Sequence, residues 1–250
     1  RKMKSGTMCP SFRATKNERD VTRGRSNSLR LALSGQLGKD ALTSREMWDT
    51  MQLCVSCKGC KRECPTGIDM AKMKIEFLHQ YYKKNRRRFF DILISFLPYY
   101  APFISYLRWL PNIYSKIWGM SEMIEIIIGI SAKRKLPVWN KPFSINNIEQ
   151  KLPFKINPRK VVLIADTFSI YFEPENLVST IRVLNAVGYS VHIAQASDGS
   201  RPLCCGRTFL HSGDLKRARR EATRMLESLL PFVDKGIPII GLEPSCLLTL

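Results

Sequence analysis

Four cysteines fall within eleven residues, at positions 54, 57, 60 and 64, and a proline follows the last of them. The run Cys54-Val55-Ser56-Cys57-Lys58-Gly59-Cys60-Lys61-Arg62-Glu63-Cys64-Pro65 has the spacing C-x2-C-x2-C-x3-C-P. Two-residue gaps let three successive thiolates curl around one object, while the fourth leaves the turn and reaches elsewhere. Zinc sites use paired knuckles separated by a longer spacer. Three thiols in direct succession instead suit the corners of a [4Fe–4S] cubane. Gly59 is expected where the backbone comes close to iron and sulfide. In two-cluster proteins the fourth Cys-Pro of each run serves the other cluster, and Cys9-Pro10 is an orphan of this kind. Cys9 is therefore expected to complete the set of Cys54, Cys57 and Cys60. Cys64 is expected to serve a second cluster whose remaining ligands would precede Arg1. The bland alternative for Cys9 is a buried thiol with no ligand.

Eight cysteines in 250 residues are too few for a small disulfide scaffold, and their clustering argues for a reducing compartment. The 40 basic and 21 acidic residues leave a surplus of +19. Residues 1–160 hold 31 basic and 12 acidic residues, and residues 161–250 hold nine of each, so the first part carries the whole surplus. Such a break marks two units with different surroundings. A basic unit can face nucleic acid, an anionic membrane or an acidic protein. Arg1 is not an initiator methionine, and the chain stops soon after a strand-like run, which reads as a piece of a longer chain.

The periodicity predicts helices over 26–37, with Ser26 or Asn27 as N-cap, over 40–53, and over 67–84, where Met70, Met73, Phe77 and Tyr81 recur by turns. Residues 86–135 are aromatic-rich and lie between Arg86-Arg87-Arg88 and Lys133-Arg134-Lys135. Their longest uncharged run, Ile92 to Leu107, contains Pro98 and Pro102 and falls short of the roughly 20 apolar residues of a membrane-spanning helix. Two readings stay open here: an interfacial segment with basic flanks and aromatic anchors such as Trp109 and Trp118, or a helical arm packed on a neighbouring domain. Proline-rich residues 136–159 read as a linker. Beyond it, strands at 161–166, 189–194 and 237–242 alternate with helices at 174–187 and 213–230, which predicts a parallel sheet with right-handed crossovers. The fold class is α+β. A small α-helical ferredoxin-type [4Fe–4S] domain (1–85) leads through the arm and linker (86–156) to an incomplete parallel α/β domain (157–250).

Asp166-Thr167, Cys204-Cys205-Gly206 and Glu243-Pro244-Ser245-Cys246 follow the three strands. In a parallel sheet all three lie at the carboxyl edge, where such folds bind ligands. Cys204, Cys205 and Cys246 are thus expected to converge, as metal ligands, as a redox thiol set or as buried packing. His79, His192 and His211 are assigned no role. No Gly-rich phosphate loop, Ser/His/Asp set or paired carboxylates are present, so the catalytic residues are unassigned.

Gly6-Thr7-Met8-Cys9-Pro10-Ser11-Phe12-Arg13-Ala14-Thr15 resembles a segment of bacterial FAD-linked 2-hydroxy acid dehydrogenases with a fused iron–sulfur half, of the D-lactate and D-2-hydroxyglutarate type. Thr22-Arg23-Gly24-Arg25, Leu53 through Met70, Tyr171-Phe172-Glu173-Pro174-Glu175, Arg201 through Thr208 and Gly241 through Cys246 are similar to the same family. The α/β part resembles the cysteine-rich CCG domain shared with the iron–sulfur subunit of anaerobic glycerol-3-phosphate dehydrogenase and with heterodisulfide reductases. It departs from their full motif at Asp166, where they have a further cysteine, and after Cys246, where Leu247-Leu248-Thr249 replaces a C-x-x-C ending. The resemblance implies one or two [4Fe–4S] clusters in the intact protein, FAD on an upstream domain of the same or an associated chain, and a quinone or carrier as acceptor. It further implies a cytoplasmic place, with peripheral contact at the inner face of a membrane. The alternatives are a separate iron–sulfur subunit of a glycerol-3-phosphate dehydrogenase or heterodisulfide-reductase-like complex, and a metal-stabilised nucleic-acid-binding module. The last does not account for a charge-neutral α/β half bearing CCG, and no nucleic-acid partner is expected.

Overall fold

A computed structural model describes residues 9–114, 117, 119–144 and 159–249. Gly6 to Met8, Trp118 and most of the expected linker (145–158) lie outside the described residues. The chain forms two compact units. One comprises residues up to Arg87 with His211–Asp214, and the other comprises Arg88–Leu210 with Leu215–Leu250.

The first unit contains α1 (Pro10–Thr15), α2 (Thr22–Leu33), α3 (Arg45–Gln52), α4 (Gly59–Glu63) and α5 (Met70–Lys84), with 3₁₀ turns at Glu18–Asp20 and Ala41–Thr43. Local chemistry sets the helix starts. Pro10 occupies the first turn of α1, where its missing N–H is not needed. Ser44 Oγ accepts from the Met47 amide at 3.2 Å, and Asp69 accepts from the Lys72 amide at 3.1 Å. The core gathers Leu29, Met47, Trp48, Met51, Met70, Phe77, Leu78 and Tyr81. The turn-by-turn spacing predicts Met73 on this face, but the buried stripe of α5 is centred toward Ala71 and Leu78, which leaves Met73 exposed.

Helix α2 begins four residues before the expected Ser26, with no side-chain cap at Val21. The reason is close packing on the preceding 3₁₀ turn: a Cβ on Gly24 would sit 2.1 Å from the Glu18 carbonyl oxygen. The helix expected over 40–53 begins at Arg45, because Ala41–Thr43 closes a tighter turn ahead of the Ser44 cap.

The second unit contains α6 (Phe89–Ser95), α7 (Leu97–Tyr106), α8 (Trp109–Ile113), α9 (Met120–Ile128), β1 (Arg159–Ile164), α10 (Thr167–Tyr171), α11 (Pro174–Ala186), β2 (Tyr189–Ile193), α12 (Arg207–His211), α13 (Leu215–Val233), β3 (Ile239–Gly241) and α14 (Pro244–Leu247). The sheet is parallel, in the order β2-β1-β3, with Val161 opposite Val191 and Leu163 opposite Ile240. β1 is buried on both faces, as its unbroken apolar run requires. Leu163 packs with Leu177 and Ile181 of α11. Val162 and Ile164 pack with Met225 and Leu229 of α13. The short α10, α12 and α14, too brief to show a period, follow the three strand ends.

The two readings of the aromatic segment divide it. Leu97 and Ala101 of α7 join the α11 side of the core. Phe96 and Tyr99 meet the fully buried Phe209 edge-on, with ring centroids 5.3 and 5.5 Å apart. By contrast, neither α8 nor α9 has a buried residue. No single helix among the described residues is long and apolar enough to cross a membrane. Only α6 and α7 together have the composition, and they are bent by 76°.

Candidate functional site

The C-x2-C-x2-C run occupies the loop between α3 and α5. Cys54 follows α3, Cys57 lies in the loop, Cys60 is within α4 and Cys64 follows it. Cys9, immediately before α1, comes to the same place. All five thiols line one cavity of about 420 Å3, together with Arg25, Ile68 and Met70. Two non-glycine residues of the loop are left-handed, Ser56 (φ 54°) and Lys58 (φ 57°). Such residues cost about 1–3 kcal/mol each and persist where the surroundings hold them. Gly59 does not take that conformation; it opens α4. The tight turning thus falls on its neighbours, and glycine at 59 is not required by φ. Lys74 Nζ donates to the Gln52 carbonyl at 3.0 Å and to the Cys54 carbonyl, pinning the loop's first residue.

Cys9 has the most structured surroundings. Its Sγ lies 3.1 Å from Ser11 Oγ and 3.5 Å from Arg25 Nη1, and it donates to the Asp20 carbonyl at 3.4 Å. Burial pushes this thiol's pKa up, but hydrogen bonds from Ser11, the Phe12 amide and Arg25 outweigh it and hold the pKa below the usual thiol range. Cys64 is likewise held down, chiefly by Thr66, whose Oγ1 is 3.0 Å away. A lowered thiol pKa favours the thiolate, the form that ligates metal.

Among the described residues, no three or more His, Cys, Asp or Glu side chains are arranged to hold a single metal ion. One zinc ion with Zn–S bonds of about 2.3 Å would need its sulfurs within about 4 Å of each other. The thiols here surround a volume instead of a point. An all-sulfur donor set around a cavity fits an iron–sulfur cluster.

The second cysteine set also converges. Asp166 is buried at the end of β1 and caps α10, accepting from the Phe168 and Ser169 amides at 2.9 and 3.2 Å and from Ser169 Oγ at 2.6 Å. Cys204 and Cys246 both hydrogen-bond to Cys205. These two thiols, with Arg207, hold Cys205 well below the usual range, while Cys204 and Cys246 are pushed up by sharing protons with Cys205 and by burial. The arrangement is one thiolate flanked by two thiol donors. Gly206 (φ 80°) makes the corner: its amide donates to Cys204 Sγ at 3.4 Å, and a Cβ there would meet the Ala218 carbonyl oxygen at 2.4 Å.

Sequence reasoning missed two charged groups near these thiols. Arg25 is fully buried beside Cys9. Glu221, on α13, is 1% exposed and accepts from Tyr99 Oη at 2.8 Å and from Arg201. Their helical spacing puts both on apolar faces, and that conflict is the available signal. His79, to which the sequence assigns no role, meets the Gly213 carbonyl through Nδ1 at 3.0 Å, and His192 faces the Phe232 ring.

Comparison with known proteins bears on the thiol-lined cavity first. Residues 5–69 match the 4Fe-4S dicluster domain. Over nearly its whole length the chain has homologues named D-2-hydroxyglutarate dehydrogenase. The one from Pseudomonas putida is 24% identical over 281 residues, covering 95% of this chain and 27% of the relative. That of Escherichia coli K12 is 21% identical over 290 residues, covering 96% and 27%. The C-type subunit of the anaerobic glycerol-3-phosphate dehydrogenase of Escherichia coli K12 is 24% identical over 161 residues, covering 62% of this chain and 37% of the relative. The chain therefore spans about a quarter of the length of the dehydrogenases it matches. No solved structure matches it significantly.

Proposed function

We propose that this chain is the electron-transfer portion of a flavin-linked oxidoreductase acting on a 2-hydroxy acid, with a quinone or a small carrier as acceptor. The observation that carries the reading is the convergence of Cys9 with Cys54, Cys57, Cys60 and Cys64 on one cavity. Cys9, Cys54, Cys57 and Cys60 hold a [4Fe–4S] cluster, and Cys64 serves a second. When bound, such a cluster supplies one-electron storage, which a two-electron flavin needs if it is to feed a one-electron acceptor. The chain's own residues shape access to it. Val55 and Cys57 are exposed at the loop, and Lys58, Lys61 and Arg62 stand exposed beside them. This basic rim draws an anionic partner toward the most accessible thiol. FAD resides on another part of the assembly. Cys204, Cys205 and Cys246 form a second ligand or redox set. A separate iron–sulfur subunit of the glycerol-3-phosphate dehydrogenase type is the alternative. The longer match to the 2-hydroxy acid enzymes, 95% of the chain against 62%, favours the first reading.

The test is anaerobic reconstitution, followed by iron and sulfide analysis and EPR of the dithionite-reduced protein. About four irons per chain with a reduced [4Fe–4S] signal is the expected result. A folded, colourless, iron-free product overturns the proposal.

The same reading includes a place at the inner face of a membrane. Helix α9 is apolar yet unburied, with Ile126 85% exposed and Met123 and Ile127 also outward. Phe103, Tyr106 and Trp109 are 73%, 82% and 61% exposed, and Lys133, Arg134 and Lys135 are exposed. Exposed apolar and aromatic groups with a basic flank suit an anionic lipid surface. Flotation with phosphatidylglycerol vesicles is expected to carry the protein up at low salt and not at high salt, and I126D/I127D is expected to weaken binding. No binding to anionic vesicles removes this part of the reading.

A further inference from the structure

We propose that Arg25 is a positioning residue that raises the reduction potential of the group held at Cys9. The proposal rests on the reading that Cys9 is a cluster ligand. Arg25 is 0% exposed, an arrangement rare for a residue of its type unless it is paired. Its guanidinium is fixed from several sides. Nε donates to the Thr50 carbonyl at 3.0 Å, Nη1 to the Asp20 carbonyl at 2.8 Å, and Nη2 to Ser11 Oγ at 2.9 Å. Nη1 also reaches Cys9 Sγ at 3.5 Å. Most of its acceptors are neutral. The nearest carboxylate, Asp20, keeps Oδ1 3.9 Å from Nη2, and that oxygen accepts no hydrogen bond. The guanidinium charge is thus only partly offset, and the sulfur of Cys9 is within its reach.

The physical consequence has a definite sign. Adding an electron to a thiolate-bound cluster makes the ligand shell more negative. A fixed positive charge in a poorly solvated site stabilises that state more than the oxidised one, so it raises the potential. Asp20 acts in the opposite direction. Ser11 belongs to the same device, since its hydroxyl bridges Arg25 and Cys9. Gly24 is what places the guanidinium there, because only a residue without Cβ lets α2 lie this close to the Glu18–Asp20 turn.

The experiment is a redox titration, read by EPR, of the anaerobically reconstituted full chain and three variants, with iron and sulfide counted in each. Arg25→Met is expected to lower the reduction equilibrium constant at least tenfold, a fall of about 59 mV for one electron. Arg25→Lys should recover most of the wild-type value, because it keeps the charge. Asp20→Asn should shift the potential upward. A purely structural pair would not move the potential in opposite directions. If Arg25→Met does not fold, Arg25→Lys and Asp20→Asn decide: an unchanged potential in Asp20→Asn overturns the proposal. Full iron content with unchanged potentials in all three also overturns it, while leaving the cluster reading intact. A wild-type chain that takes up no iron defeats the cluster reading itself, and the proposal falls with it.

Discussion

Replacing Cys9 with serine is expected to abolish the [4Fe–4S] signal of this chain, although Cys9 lies 45 positions before the nearest other ligand. A cubane held by three thiolates has one iron open to solvent, and serine at Cys9 leaves the Arg25 and Ser11 donors without a sulfur to organise. Iron and acid-labile sulfide per chain should fall to background, as they should for Cys54→Ser, Cys57→Ser or Cys60→Ser. Cys64→Ser should instead leave this cluster in place, because Cys64 serves the other one. Both Cys9 and Cys64 line the same cavity, so the comparison is decisive: a Cys64→Ser protein without iron beside a Cys9→Ser protein with it would reverse the assignment. Circular dichroism should show the helices retained in each variant. The apolar core from Leu29 to Tyr81 does not depend on the thiols, although loss of metal-binding free energy lowers the stability of the unit.

Part of this was legible in the sequence, and the rest was hidden for physical reasons. Cysteine spacing is a short-range code, so the loop at 54–64 could be read directly. Cys9 was legible only because Cys-Pro is a ligand signature in its own right. The parallel order of the strands followed from strand–helix alternation, and their carboxyl ends brought Asp166, Cys204, Cys205 and Cys246 together as expected. Glycine at 59 is not the turning residue that its lack of a side chain suggests. The backbone instead twists at Ser56 and Lys58, whose side chains give no hint of it. Arg25 and Glu221 were hidden because a charged residue on a helix is normally assigned to solvent. Only tertiary partners far along the chain, such as Thr50 for Arg25 and Tyr99 for Glu221, reveal that they are buried.

Removing the Glu221 carboxylate should produce the largest loss of stability in the second unit. Glu221 holds Tyr99 Oη at 2.8 Å, hydrogen-bonds Arg201, and stands 3.9 Å from Arg224 Nη1. Arg201 lies over the Tyr99 ring at 4.0 Å, and its Nη1 is buried with no hydrogen-bond partner. Arg224 is held separately by Asp198 at 2.9 Å, so it keeps a partner when Glu221 is lost. Arg201 does not. Breaking a buried pair from one side leaves an uncompensated charge and typically costs about 3–5 kcal/mol. Glu221→Leu should therefore lower the urea midpoint sharply. The double variant Glu221→Leu/Arg201→Met should be markedly more stable than the two single losses combined, because it leaves no orphaned charge. Tyr99 supplies an independent check: burial and the Glu221 carboxylate raise its phenol pKa, so Glu221→Leu should lower the pH at which its ultraviolet phenolate band appears. Additive losses across the cycle, together with an unshifted Tyr99 titration, would show that Glu221 and Arg201 act independently.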